Sequence, residues 1–315
     1  MTLQRRIRGG ELALGSSLVD HAYAIAGPLA LSRSTVDRAA HLRDNEEWMA
    51  TAWADPATKV LLVGNGRVST RGDILRFVSP GEAPDGEAYL LGVENGEAFA
   101  AVHVSELDGA DTGSLREVGV VLGDRDAGLA VHAIALANWH ATHRFCPRCG
   151  QPTVVACGGH IRRCVADGSE HYPRVDPAVI MLVIDEYDRC LLGRQQNWPG
   201  RRYSTLAGFV EPGETPEHAV VREVAEEVGI TVNACRYAGA QPWPFPSSLM
   251  LGYYADARAT EPTPDGEEIQ DAQWFSRAEL AAAVSGGEIE VPSPISIAHR
   301  LLEGWYGAPL EQMTS

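Results

Sequence analysis

The stretch richest in chemistry runs from Gly208 to Ile230 and gathers Glu223, Glu226 and Glu227 within five residues. Good helix formers, with apolar residues at Ala219, Val220, Val224 and Val228, predict a helix over 217–228. On that helix the three glutamates lie three and four residues apart and project from one face. Like charges at this spacing repel and destabilise a bare helix. Hard divalent cations such as Mg²⁺ or Mn²⁺, held between carboxylate oxygens, remove that penalty. Glu214 precedes the helix in a turn that Gly208 and Gly213 permit, from where it can pair with Arg222 and brace the carboxylates. A Glu-rich helix is more often only a solvated face. Here Gly208, Glu214, Arg222 and Gly229 must coincide with it at fixed offsets, which argues for a built metal site.

A second constellation is Cys146-Pro147-Arg148-Cys149, with Cys164 fifteen residues after Cys149. A pair spaced Cys-x-x-Cys suits structural zinc, and a zinc ribbon wants its fourth ligand at 167, where this chain has Asp167. Asp167 could complete the site, as could Cys157, His160 or His171; without zinc the cysteines would merely pack. The segment is Gly-rich with little apolar core of its own, which favours a bound metal as its folding centre. Cys190 and Cys235 stand apart as packing residues. The third feature is Gln241-Pro242-Trp243-Pro244-Phe245-Pro246-Ser247-Ser248. Prolines at alternate positions lack N–H donors and fix φ, so a rigid loop is expected, displaying Trp243 and Phe245. Rigid aromatics suit stacking on flat rings such as adenine or nicotinamide; the alternative is an edge loop with its aromatics packed inward.

From Gly208 to Ile230 the pattern resembles the signature box of the Nudix hydrolases: Gly, five residues, Glu, seven residues, Arg-Glu, an aliphatic, any residue, Glu-Glu, any residue, Gly, an aliphatic. Every fixed position is met. The Pro-aromatic array is similar to that of the NADH pyrophosphatases within that family, and departs from it at Ala240, where the family has Ser. The resemblance is dense from Phe145 to Ser248. It implies metal-dependent hydrolysis of the diphosphate bond of NAD(H) to nicotinamide mononucleotide and AMP, and by the same cleavage removal of NAD caps from RNA 5′ ends. It also implies Glu223 and Glu227 as the main ligands of Mg²⁺ or Mn²⁺, with Glu226 close by and further ligands from the Ala207 carbonyl and Glu268. The matched substrate contacts are Arg116, Tyr172, Ala298 and the array from Gln241 to Ser248, each weighed against a packing role. A homodimer is implied as well. Cations on a diphosphate neutralise charge on the leaving phosphate and acidify the attacking water, with no covalent intermediate. The carboxylates titrate as a coupled set, so the general base stays open. Two other readings compete: a Nudix hydrolase for ADP-ribose or another nucleoside diphosphate, and a non-enzymatic regulator whose zinc segment binds nucleic acid.

These sites need a scaffold. The β-branched run Ala178–Ile184 reads as a buried strand, and apolar spacing predicts helices over 127–140 and 294–305. Runs at 59–63 and 88–93 read as strands separated by Asn-Gly and Pro-Asp-Gly turns. The expected class is α+β: an N-terminal α+β domain over 1–139, a zinc-ribbon-like segment over 140–176, and a Nudix fold over 177–315 with a mixed sheet between helices. A 315-residue chain that is 45% hydrophobic can fill that many cores. Its net charge of −16 argues against a general nucleic-acid binder. It leaves room for a small anionic ligand, because bound cations reverse the local sign. The basic opening Met1–Gly10 leads into no apolar signal core, and no stretch reaches the roughly 18 apolar residues of a membrane span. A cytoplasmic protein is expected, in which clustered cysteines bind metal rather than form disulfides.

Overall fold

The computed structural model describes residues 23–314 except 108 and 110, so the basic opening segment lies outside the described residues. After α1 (Glu46–Ala54) come β1 (Lys59–Gly64), β2 (Arg67–Arg71), β3 (Ile74–Leu75), β4 (Phe77–Val78), β5 (Glu87–Glu94), β6 (Glu97–His103) and β7 (Thr112–Ser114). They form one sheet in the order β3-β2-β1-β6-β5, with β4 added on β1 and β7 on β2. Two of its hairpins turn on Asn65-Gly66 and Asn95-Gly96, all four residues at positive φ. Asn-Gly reaches that conformation at low cost, and its twist matches the flanking strands. The predicted strands at 59–63 and 88–93 are β1 and β5. Next come α2 (Leu115–Val118) and α3 (Asp124–Thr142), which runs past the predicted 127–140 at both ends. Leu129, Ile134 and Leu136 of α3 are buried with Leu61, Tyr89 and Phe99 of the sheet, and four buried alanines let helix and sheet approach closely.

The cysteine segment folds as a small sheet of β8 (Thr153–Ala156), β9 (Ile161–Cys164) and β10 (Glu170–His171), in the order β10-β9-β8. Buried polar groups fasten it to the first domain. Arg162 is 3% exposed; it donates to the hydroxyl and carbonyl of Thr153, to Glu87, and to His140 Nδ1 at 2.8 Å. Arginine only donates, so His140 Nδ1 must accept. His140 therefore carries its proton on Nε2, which donates to the Gly159 carbonyl at 2.8 Å, while its ring stacks on Tyr89.

The third unit contains β11 (Asp176–Ile184), β12 (Cys190–Gln195), β13 (Leu206–Phe209), α4 (Pro216–Val228), β14 (Val232–Trp243), β15 (Ser248–Ala257), β16 (Ile269–Phe275), α5 (Arg277–Ser285), α6 (Ile297–Tyr306) and a closing 3₁₀ turn, Leu310–Thr314. Its mixed sheet has the order β14-β15-β11-β12-β16, with β13 on β11; β11 and β15 are parallel. The alternation of β11 explains its unbroken apolar run. Val179, Met181 and Val183 join the core under α4, while Ile180, Leu182 and Ile184 join the core under α5 and α6. The Pro-aromatic segment departs from the expected loop: β14 continues through Pro242 to Trp243, and only 244–247 turn before β15. Pro242 is tolerated because β14 is an edge strand, where a missing N–H donor costs no ladder bond.

Burial pulls His140 and His160 down to about 4 from an ordinary 6.5. Between those values the unfolded chain binds protons that the folded chain refuses. Their contribution to stability is therefore whole above about pH 6.5 and is lost as pH falls towards 4. Urea unfolding midpoints should fall over that window, and less steeply in His140→Gln than in the wild type. Parallel slopes for the two proteins would remove His140 from the account.

Candidate active site

α4 is defined at both ends. Thr215 caps it by accepting from the His218 N–H, Pro216 opens it, and Gly229 closes it at φ 69°. Ala219, Val220, Val224 and Val228 are buried against the sheet, which fixes where the glutamates must point. They do not share one environment. Glu227 is 2% exposed, whereas the Glu226 side chain is 60% exposed and that of Glu223 12%. Glu227 Oε2 is buried and makes no hydrogen bond. Burial, then the charges of Glu268, Glu223, Asp265 and Glu226, push its carboxyl up to about 9. Glu223 is also raised, first by burial, although Arg222 opposes the shift.

Arg222 holds this set in place. It donates to both oxygens of Glu214 (2.8 Å each), to Glu223 (2.8 Å), to Glu226 (3.0 Å) and to the Phe209 carbonyl (2.9 Å). Glu214, held below the usual carboxylate range chiefly by Arg222, also accepts from the Glu211 N–H and so ties the preceding turn to the helix. Gly208 shows how closely strand and helix meet: a Cβ there would lie 1.9 Å from Glu223 Cδ. Glu268 sits on an exposed turn whose N–H groups bond Asp265.

A cavity of about 470 Å³ opens beside this cluster. Glu227, Ala207 and Thr205 line it, together with Trp243 and Arg116. Arg116 comes from the N-terminal domain. Its guanidinium stands 4.1 Å from the Phe245 ring and 5.1 Å from that of Trp243. Trp243 forms part of the wall, while Phe245 is absent from it; both pack on the N-terminal core. Pro244 and Pro246 accept from Asn138 of α3 through their carbonyls, Pro242 pairs with Leu249, and Ser247 donates to Asp176. Gln241 is fully buried, donating to the Ile295 carbonyl. Ser248 begins β15 and Ala298 is buried in α6, so neither lines the cavity. Tyr172 is exposed on the ribbon side and donates to Glu170. The sequence reading passed over Trp198 and Arg202, which stack at 4.7 Å and line the same cavity. A Trp four residues before an Arg, in a turn just upstream of β13, was the available signal.

In the ribbon, Cys146, Cys149, Cys164 and Asp167 bring their ligand atoms within 4.8 Å of one another. The sulfurs of Cys149 and Cys164 are 3.5 Å apart, and the N–H groups of Arg148 and Ala166 point at Cys146 and Cys164. The other three groups go elsewhere. His160 bonds the Leu90 carbonyl, His171 bonds the Ser169 hydroxyl, and Cys157 lies beside Asp44.

Residues 174–291 match the family model "NUDIX domain", and residues 141–172 match "NADH pyrophosphatase zinc ribbon domain". The protein named NAD-capped RNA hydrolase NudC of Mycobacterium bovis (BCG Pasteur 1173P2) is 41% identical over 298 residues, covering 87% of this chain and 94% of that protein. The chain belongs to the Nudix hydrolase family. This Nudix hydrolase is also 43% identical over 196 residues to the human protein named NAD-capped RNA hydrolase NUDT12, covering 58% of the chain and 42% of that protein. A solved NUDIX hydrolase from Nitrosomonas europaea is 22% identical with a TM-score of 0.39, covering 53% of this chain and 94% of that one.

The contact at Gly208 gives a direct test. Gly208→Ala forces the Glu223 carboxylate aside, and displacement of a reacting group by about 1 Å costs on the order of a hundredfold in rate. Turnover should fall by about that factor while the melting temperature drops only a few degrees. Unchanged turnover would show that the position of Glu223 is not critical.

Proposed function

We propose that this Nudix hydrolase cleaves the diphosphate bond of NAD(H), free or as the cap of an RNA 5′ end, releasing nicotinamide mononucleotide and an adenylate. The observation that carries this reading is that one cavity is lined by acid and by cations and aromatics together: Glu227 and Ala207 share it with Trp243, Arg116, Trp198 and Arg202. The names of the mycobacterial and human relatives support the same substrate.

The residues fit a hard divalent cation. Glu227 offers a buried oxygen with no partner, the charges of Glu223, Glu226 and Glu268 act on its carboxyl, and we assign these glutamates and the Ala207 carbonyl as the remaining oxygen donors. Bound there, Mg²⁺ or Mn²⁺ would neutralise diphosphate charge and acidify a water. The chain's own side chains do the rest. Arg222 and Glu214 hold the glutamates in register; Trp243 stacks on a flat ring; Arg116 and Arg202 place positive charge where the diphosphate lies. The rest of the Pro-aromatic array and Tyr172 and Ala298 then act by positioning rather than by lining the cavity. A general base drawn from the coupled carboxylates completes the hydrolysis.

Three thiol groups and Asp167 within one coordination radius fit zinc, whose place at the ribbon is structural because the diphosphate chemistry lies elsewhere. We also take the working form to be a cytoplasmic homodimer. No helix among the described residues is long and apolar enough to cross a membrane, and the ribbon exposes Phe145, Val154, Val165 and Tyr172, apolar area of the kind a subunit interface covers. We take the chain to divide at 139/140 and 176/177, the first cut falling in the last turn of α3 and the second inside β11, after its first residue Asp176.

Turnover of NADH, NAD⁺, NAD-capped RNA and ADP-ribose with Mg²⁺ or Mn²⁺, with products identified, tests the activity. Mononucleotide and AMP should appear, and Glu227→Gln should lower the rate by about a hundredfold or more without unfolding the chain. Faster cleavage of ADP-ribose than of any NAD form would favour the rival substrate, and no cleavage at all would favour a regulator.

Elemental analysis tests the ribbon. Protein purified without added metal should carry about one zinc per chain, and Cys149→Ser should lose it together with solubility. Stable, active protein without zinc would make the cysteines packing residues.

A further inference from the structure

α6 and the closing 3₁₀ turn bring together three ligand-type side chains that the hydrolase site does not use. His299, Glu303 and Glu311 place their ligand atoms within 4.8 Å of one another. His299 and Glu303 are 3% and 4% exposed. The His299 Nδ1 lies 2.8 Å from the Pro292 carbonyl, which can only accept, so Nδ1 carries the proton. In the neutral ring Nε2 then presents a bare lone pair. That atom is buried and makes no hydrogen bond, and it stands 3.4 Å from Glu303 Oε1 and 3.9 Å from Glu311 Oε1.

A lone pair aimed at two carboxylates is repulsive unless positive charge sits between them. A proton on Nε2 would draw a carboxylate in to about 2.7–2.9 Å. Two ligands each about 2.0–2.2 Å from one tetrahedral ion are about 3.4 Å apart. The observed separation from Glu303 agrees with the second arrangement. The neighbouring groups agree too. Arg300 pairs with the other Glu303 oxygen, and the Leu310 N–H donates to Oε1, so the carboxylate is oriented from both sides. The Nδ1–H bond to a carbonyl is the contact that fixes the tautomer of a metal-binding histidine.

We propose that His299, Glu303 and Glu311 form a second site for a divalent transition-metal ion, zinc above all, which clasps the C-terminal turn to α6. The clasp would steady more than the terminus. Leu310 and Met313 complete the core beneath α6, and Ser296, which caps α6, lines the catalytic cavity.

The test uses the full chain and zinc itself. After equilibration with excess zinc and gel filtration, the wild type should retain one zinc per chain more than Glu311→Gln or His299→Gln. Taking differences cancels the ribbon and any zinc held by the α4 glutamates. Added zinc should raise the wild-type Tm by several degrees and that of Glu311→Gln by much less. Glu311 is exposed, so this variant keeps the experiment decisive should His299→Gln fail to fold. Cobalt in place of zinc should add visible bands that lack the sulfur-to-metal transition of the ribbon and vanish in Glu311→Gln. Equal zinc content and equal Tm response in the wild type and Glu311→Gln would overturn the proposal.

Discussion

The active site depends on holding like charges together against their own repulsion. Two carboxylates 4 Å apart repel by about 4 kcal/mol at the effective dielectric near a protein surface. α4 brings Glu223, Glu226 and Glu227 to the site, with Glu268 adding its charge to the same field. Burial of the opposite face of α4 prevents the helix from rotating them into water. Arg222 offsets part of the repulsion by bonding three of the surrounding acids at once. Glu227 is left over: buried, without a partner for one oxygen, and with its proton affinity raised accordingly. That buried carboxyl, with one oxygen unpartnered, lies in the wall of the cavity.

The aromatic and cationic lining of the cavity is assembled differently, from parts of the chain far apart in sequence. Trp243 and Phe245 belong to the hairpin between β14 and β15, yet they pack on the core of the N-terminal domain. Arg116 spreads over both rings, and Asn138 donates to the carbonyls of Pro244 and Pro246 on either side of Phe245. The N-terminal domain thus backs the aromatic hairpin and contributes a cation to the cavity. A rigid ring presented this way loses little entropy on stacking. The Ala240 departure from the family array touches none of this, since its carbonyl accepts from Ser32 and its side chain is no part of the rings' support.

Polar burial also joins the ribbon to the first domain. Arg162, His140, Glu87 and Thr153 satisfy one another at the seam, and each donor has an acceptor. Such a network is costly when one member is lost, because the survivors stay buried without partners. It gives the ribbon a fixed seat of its own, while the three cysteines and Asp167 gather apart from it.

By itself the sequence determined what depends on near neighbours. The α4 glutamates, the buried strand Ala178–Ile184, the Asn-Gly hairpins and the Cys-x-x-Cys turn were all legible, because helical spacing, strand alternation and turn chemistry are set within a few residues. Tertiary structure alone decided which glutamate is buried, that Asp167 and not His171, His160 or Cys157 joins the cysteines, and that Trp243 rather than Phe245 meets the cavity. It also brought Trp198 and Arg202 into the wall and let Pro242 sit in a strand, since only the finished sheet makes β14 an edge. The physical reason is common to all of these. Periodicity belongs to a segment, whereas desolvation, charge neighbourhood and free sheet edges are set by residues the chain brings back from elsewhere, as Asp167 to Cys146, Glu268 to Glu227 and Arg116 to Trp243.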